Sequence, residues 1–272
     1  MIQQPIRLAL AIGWHYGCNR KTLRGIKRYA VASHHSILIE PLSPQFFKAI
    51  RRWQPDAIIA DPERPSLVED LLALDLPTIS VLCTWHMPDH PGVGKDDHAV
   101  GRAGAAHLLE KGLRRFGYVG YPDICWSQWR AEGFAQAVHD AGGECRQFSC
   151  SSSAFPRLAS EKADRRGDGL RTWLREEAKP IGILCANDPL GQELAQLCRE
   201  LDLRVPEDVA IVGVDNDDVF CELADPTLSS VDVPWERMGY EAAAMLDRLL
   251  AGEAMPTAPR LLPPAGVRQR ES

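Results

Sequence analysis

The chain has 272 residues, of which 45% are hydrophobic and 25% charged, and carries a formal net charge of -6. That length and balance suffice for one large or two medium globular domains and exclude global disorder. The acidic balance argues against this chain's own surface gripping nucleic acid, and no apolar run reaches membrane-spanning length.

From the N-terminus, strand and helix patterns alternate. A strand over residues 6–12 is too short, and lacks the charged flank and cleavage site, for a secretory signal. It ends at Gly13. The loop Trp14-His15-Tyr16 follows, then a helix whose apolar face is Leu23, Ile26, Tyr29 and Ala30. Two aromatics in so short a loop either stack on the apolar face of a ligand or pack under a neighbouring loop. The basic residues Arg20, Lys21, Arg24, Lys27 and Arg28 read as a solvated face of that helix. Strands over 36–42, 56–60 and 77–83 alternate with helices over 45–53 and 66–74. The loop 84–91 interrupts the pattern. A short strand near Val93 then runs into Lys95-Asp96-Asp97, and a helix over 98–111 ends at Gly112. Regular alternation of this kind predicts doubly wound parallel sheets.

A second series starts with a strand over 114–120. After residues 121–129 a helix opens at Arg130. A cation in the first turn opposes the helix dipole, so Arg130 reads as a binding residue, able to donate several hydrogen bonds in one plane. Residues 149–153 and 162–169 read as a long surface loop leading to a helix over 170–177. An apolar run over 181–186 then ends on Asn187-Asp188-Pro189. Leu190, Leu194, Leu197 and Leu201 mark one helix face, and a second apolar run over 209–214 ends on Asp215-Asn216-Asp217-Asp218. Strand, helix and strand with short loops form a βαβ unit, which puts both polar clusters at one carboxyl edge, where open α/β sheets bind ligands. Carboxylates and an amide there suit a neutral polyhydroxyl compound or a cation and repel phosphate. The alternative is that Asp188 and Asp215 merely cap the helices that follow. An amphipathic helix over about 234–250 has apolar residues beyond one face, and the proline-rich, then basic tail 256–272 has room for one or two short strands.

Chemical signatures are absent: there is no GxSxG, no HExxH and no GxxxxGK[ST], and Gly92-Val93-Gly94 lacks a third glycine. The histidines do not pair at metal-ligand spacing. Asp215, Asp217 and Asp218 could hold Mg²⁺, but a hydroxyl-rich ligand accounts for Arg130 and the aromatics as well. The expectation is therefore a non-enzymatic protein without metal or cofactor. Eight cysteines without a CxxC pair fit reduced, partly buried thiols and a cytoplasmic location.

Several segments together carry a resemblance. They are Cys185-Ala186-Asn187-Asp188, Val205-Pro206-Glu207-Asp208-Val209-Ala210 and Val212-Gly213-Val214-Asp215-Asn216. With them go Asp225-Pro226-Thr227-Leu228-Ser229-Ser230-Val231, Gly239-Tyr240-Glu241-Ala242-Ala243 and Pro263-Pro264-Ala265-Gly266-Val267-Arg268. The first three resemble the effector-binding core of LacI-type repressors. Together with Trp126-Ser127-Gln128-Trp129-Arg130 and Gly25-Ile26-Lys27-Arg28-Tyr29-Ala30, the set is similar over nearly the whole chain to xylose operon regulators of the AraC family.

The resemblance implies an α/β protein of two doubly wound parallel-sheet lobes joined by crossing strands, periplasmic-binding-protein-like. One lobe is expected over 1–113 plus 229–252 and the other over 114–228 plus 253–272, with a neutral sugar such as xylose in the cleft. It implies sugar contacts from Arg130, Asp188 and Asp215, with Asp96 matching the acid before the helix that ends the first lobe. Trp14 or Trp126 is expected against the sugar face. It further implies a homodimer, lobe closure on ligand, and DNA contact only through an AraC-type domain expected after residue 272 and absent here. The rival readings are a solute-binding protein of a sugar transporter, disfavoured by the missing export signal and the cysteines, and an enzyme on the same scaffold.

Overall fold

The computed structural model describes residues 6–40, 43–62, 65–82, 90–150 and 164–272. The expected loop at 84–89, Cys83 and most of the loop expected from 149 onward lie outside them. The chain divides into two compact units, Met1–Lys95 with Pro234–Leu262 and Asp96–Val233 with Pro263–Ser272.

In the first unit, short apolar runs become strands whose two faces are both covered by helices, which is why they read as unbroken rather than alternating hydrophobic sequence. The strands are β1 (Arg7–Ala11), β2 (Ser36–Ile39), β3 (Ala57–Ala60), β4 (Thr78–Leu82), β5 (Gly92–Lys95) and β11 (Arg260–Leu262). They form one sheet in the order β11-β5-β4-β3-β1-β2, all parallel. Helix α2 (Pro44–Trp53) starts where Ser43 accepts a hydrogen bond from Phe46 N and Pro44 takes the first turn. It buries Phe46 and Ile50 against Ala9, Ala11, Ile58, Ala60 and Leu71, the last from α3 (Pro65–Leu72). Helices α1 (Gly17–Ala32) and α9 (Trp235–Leu250) pack on one another.

The second unit repeats the plan. Strands β6 (Arg115–Gly120), β7 (Glu144–Ser149), β8 (Ile181–Cys185), β9 (Val209–Val214), β10 (Ser229–Asp232) and β12 (Gly266–Arg268) form a sheet in the order β12-β10-β9-β8-β6-β7. All its pairs are parallel except β10 with β12. Because β6 is followed outward by β7 and then inward by β8, the carboxyl ends of β6 and β8 flank a topological switch point. The connecting helices are α4 (Asp97–Glu110), α5 (Cys125–Asp140), α6 (Asp164–Glu176), α7 (Asp188–Glu200) and the short α8 (Asp218–Leu223).

Several expectations need correction. The unit boundaries differ from the expected ones because α4 packs on α5 and β8, β10 pairs with β9, and β11 pairs with β5. Strand β7 reads poorly as sequence because it is a half-exposed edge strand with few apolar residues. Helix α6 begins at Asp164, inside the stretch expected to be loop. On α9, Trp235, Met238, Ala242, Ala243, Met245 and Leu246 are buried.

Helix α4 approaches α5 backbone to backbone. A Cβ on Gly101 would lie 2.1 Å from the Arg130 carbonyl oxygen, and one on Gly133 2.2 Å from that of His98. Gly101→Val should therefore destabilise the second unit by about 1–3 kcal/mol in urea unfolding. Ala106→Val on the exposed side of the same helix should cost at most about 0.7 kcal/mol.

Candidate functional site

Helix α5 is tied to the end of β6 before any functional group is placed. Tyr118 Oη donates to Ser127 O at 2.7 Å, and Tyr121 N donates to Ser127 Oγ at 2.8 Å. The helix begins at Cys125, so Arg130 lies in its second turn, not its first. The dipole argument for Arg130 is thus weaker than its sequence position implied, and burial is what singles it out. Ser127, Arg130, Ala131, Phe134 and Val138 form the inward stripe of α5, so a guanidinium occupies a core position, 2% exposed.

Its partners converge from the first turn of α4 and from the ends of two strands. Arg130 Nε donates to Asp97 Oδ1 at 2.7 Å and Nη1 donates to Ala186 O, just beyond β8, at 2.6 Å. Nη2 lies 3.5 Å from Asp215 Oδ1, just beyond β9. Trp126 is half-buried and lies over the guanidinium, 4.8 Å from ring centroid to Cζ. Burial works against the charge on Arg130, but the carboxylates of Asp97 and Asp215 outweigh it and hold the group firmly protonated.

Asp188 and Asp215, both expected as sugar contacts, sit in different environments. Neither caps a helix: Asn187 caps α7 by accepting from Leu190 N, and Asp217 caps α8 by accepting from Val219 N. Asp188 is completely buried. Its Oδ1 accepts from Ser230 Oγ of β10 at 2.6 Å and its Oδ2 from Asp217 N at 2.7 Å, so one oxygen holds β10 and the other the loop after β9. Burial, and then the charge of Asp215, push its carboxyl well above the ordinary carboxylate range, against the opposing hydrogen bonds.

Asp215 keeps 21% of its side chain exposed. Its φ is +107° and that of Asn216 is +46°. A non-glycine residue held there costs of the order of 1–3 kcal/mol, so the surrounding bonds must fix the turn.

The remaining expected residues fall as follows. Asp96 caps α4, accepting from Ala99 N at 2.8 Å, with Arg102 at 3.5 Å from its other oxygen. Trp14, in the first unit, is 42% exposed, and Arg20 secures its loop by donating to Trp14 O and His15 O. In the acidic run after β9, Asp217 caps α8. Among the described residues no group of three His, Cys, Asp or Glu side chains is arranged to hold a metal ion, and no helix is long and apolar enough to cross a membrane. A separate hollow of about 380 Å³, lined by Tyr118, Tyr121, Gln128, Gln147 and Phe148 among others, includes none of Asp97, Asp188 and Asp215. The chemistry above, not that hollow, marks the candidate site.

Sequence reasoning missed Asp97, Ser230 and Arg270. Asp97 had a readable signal: the buried positions of α4 are Asp97, Val100, Gly101, Gly104, Ala105 and Leu108, so an acid occupies an apolar stripe.

A doubly wound sheet with a polar cluster at its switch point is the architecture of a ligand-binding domain, and residues 105–272 match the family described as periplasmic binding protein-like domain, to which the chain belongs. Across its whole length it is 29% identical to the xylose operon regulatory protein of Escherichia coli K12, covering 70% of that protein. The Haemophilus influenzae protein of the same name is 28% identical, with 71% of its length covered. The solved structure of the xylose-binding transcription activator xylR superposes on the entire chain with a TM-score of 0.87 at 28% identity, covering 70% of that chain. A CelR regulator–cellobiose complex shares the fold, with a TM-score of 0.77 at 20% identity over 98% of this chain and 84% of that one.

Two outcomes follow from the buried charges. Arg130→Ala strands Asp97, itself 2% exposed, and should destabilise the second unit by about 3–5 kcal/mol in urea unfolding, with much of the loss recovered in Arg130→Ala/Asp97→Ala. The raised pKa of Asp188 means that the folded state binds more protons than the unfolded one between the ordinary carboxylate value and the elevated one. Stability should fall as pH rises through that window, and this component of the slope should vanish in Asp188→Asn when unfolding is followed from about pH 4 to about pH 8.

Proposed function

We propose that this chain is the sugar-sensing module of a transcription regulator and that it takes a neutral monosaccharide, D-xylose or a close analogue, at the carboxyl edge of the second unit's sheet. The observation that carries the reading is Asp215: a part-exposed carboxylate beside a buried guanidinium. A carboxylate so placed accepts from two sugar hydroxyls and repels a phosphorylated sugar. Trp126 offers a face to the C–H side of the ring, and Trp14 of the first unit is its proposed counterpart. Arg130 fixes Asp215, Asp188 fixes the turn that carries it, and Asp96 secures the start of α4. Engagement of both units by one sugar would close the lobes and reposition a DNA-binding domain, in a cytoplasmic homodimer. The regulators similar to this chain over its whole length support this reading over the transporter alternative.

Titration calorimetry with pentoses, hexoses and xylose 5-phosphate tests the proposal. One neutral sugar should bind best, its phosphorylated form should bind more weakly, and Asp215→Ala should reduce affinity about tenfold or more without lowering the unfolding midpoint. Unchanged affinity in that variant, or preference for the phosphorylated sugar, removes the assignment.

A further inference from the structure

Strand β12 runs antiparallel to β10, with Ser230 opposite Arg268 and Asp232 opposite Gly266. The residues after it stay fastened to the same unit. Arg270 N donates to Ser229 Oγ and Arg270 Nη1 to Leu228 O, at 2.9 and 2.8 Å. Ser272 Oγ donates to Ile211 O at 2.7 Å, and the Glu271 carboxylate accepts from Thr227 N and Oγ1 at 3.2 and 2.9 Å. One further bond reaches the turn after β9. Arg270 Nη2 donates to Asn216 Oδ1 at 2.8 Å, so the tail grips the residue directly after Asp215.

The Asp215-Asn216 turn is the part of the second unit most in need of support, because neither residue is glycine and both have positive φ. Its backbone is held by Asp215 N donating to Val231 O, Asn216 N to Ser230 Oγ and Asp217 N to Asp188 Oδ2. Arg270 adds a side-chain clamp whose guanidinium is simultaneously bonded to the backbone of the β10 approach. We infer that Arg270 is a positioning residue for the ligand site. It holds the turn in the conformation that presents the Asp215 carboxylate, so that ligand affinity and the order of residues 266–272 are coupled. The inference rests on the reading of Asp215 as a sugar contact. Because coupling between two sites is reciprocal, ligand at Asp215 must tighten the tail as much as the tail tightens the turn.

Hydrogen exchange by mass spectrometry and calorimetry with D-xylose, both on the full chain, test it with Arg270→Ala, Arg270→Lys, Asn216→Ala and Thr227→Ala. Arg270→Ala and Asn216→Ala should each speed exchange at residues 216–217 and weaken xylose binding about tenfold, and the double variant should be no weaker than either single one. Arg270→Lys, which keeps a charged donor but not the planar fork, should recover part of both effects. Thr227→Ala, which removes the Oγ1 bond to Glu271 but leaves the Arg270–Asn216 bond in place, should speed exchange at 268–272 and weaken xylose binding less than Arg270→Ala does. Xylose should slow exchange at 266–272 in the unaltered chain and not in Arg270→Ala. Exchange at 216–217 unchanged in both Arg270→Ala and Asn216→Ala overturns the inference, as does Thr227→Ala matching Arg270→Ala in every readout. If the unaltered chain binds no sugar, the sugar reading fails by itself, and exchange at 216–217 still decides whether Arg270 positions the turn.

Discussion

The second unit depends on one buried ion pair. Arg130 and Asp97 are each 2% exposed, and removing either charge from water alone costs several kcal/mol. Neither can be buried without the other, so the start of α4 and the second turn of α5 must come together. The glycines at 101 and 133 let the two backbones approach closely enough for this. Once fixed, the guanidinium also bonds the carbonyl of Ala186 and faces Asp215. The carboxyl ends of β8 and β9, and the helix that follows β6, are thereby referred to a single rigid planar group. Mobility in any one of those ends would be felt by the other two.

The same sheet edge shows how environment separates two identical side chains. Asp188 has no exposed surface, two donors from the protein and a raised pKa. Asp215 is part-exposed, faces a permanent cation and is carried on a strained turn. The first spends its oxygens on architecture, and the second keeps part of its surface exposed.

Much of this was legible in the sequence. Apolar runs located β1 to β6, β8 and β9, and the βαβ unit over 181–214 placed Asp188 and Asp215 at one edge. What was lost has physical causes. Strand β7 lies at a sheet margin and needs little hydrophobicity, so its pattern is faint. The start of α5 was set late because Cys125-Trp126-Ser127-Gln128 has no capping side chain to announce it, and Ile124 occupies the cap position. The unit boundaries follow from helix contacts and strand pairing, which a linear pattern does not contain. Whether Asp188 or Asp215 faces solvent depends on Ser230 and on the backbone of Asp217, both remote from Asp188 in sequence. Distinguishing the two carboxylates needed three dimensions. Asp97 did not, since its place on the apolar stripe of α4 was visible from spacing alone.

The pairing of β11 with β5 and of β12 with β10 has a consequence for biosynthesis. Each sheet takes its sixth strand from residues 260–268, and α9, which covers α1, begins only at Trp235. The first 95 residues therefore emerge from the ribosome well before the helix and strand that complete their unit. They must wait with the apolar faces of α1, β4 and β5 uncovered while the intervening unit is made. Vectorial synthesis thus favours the second unit as the earlier to condense, although it is encoded later. The long interval before closure, set by loop entropy and translation rate, is when the nascent chain is most exposed to chaperones and to aggregation.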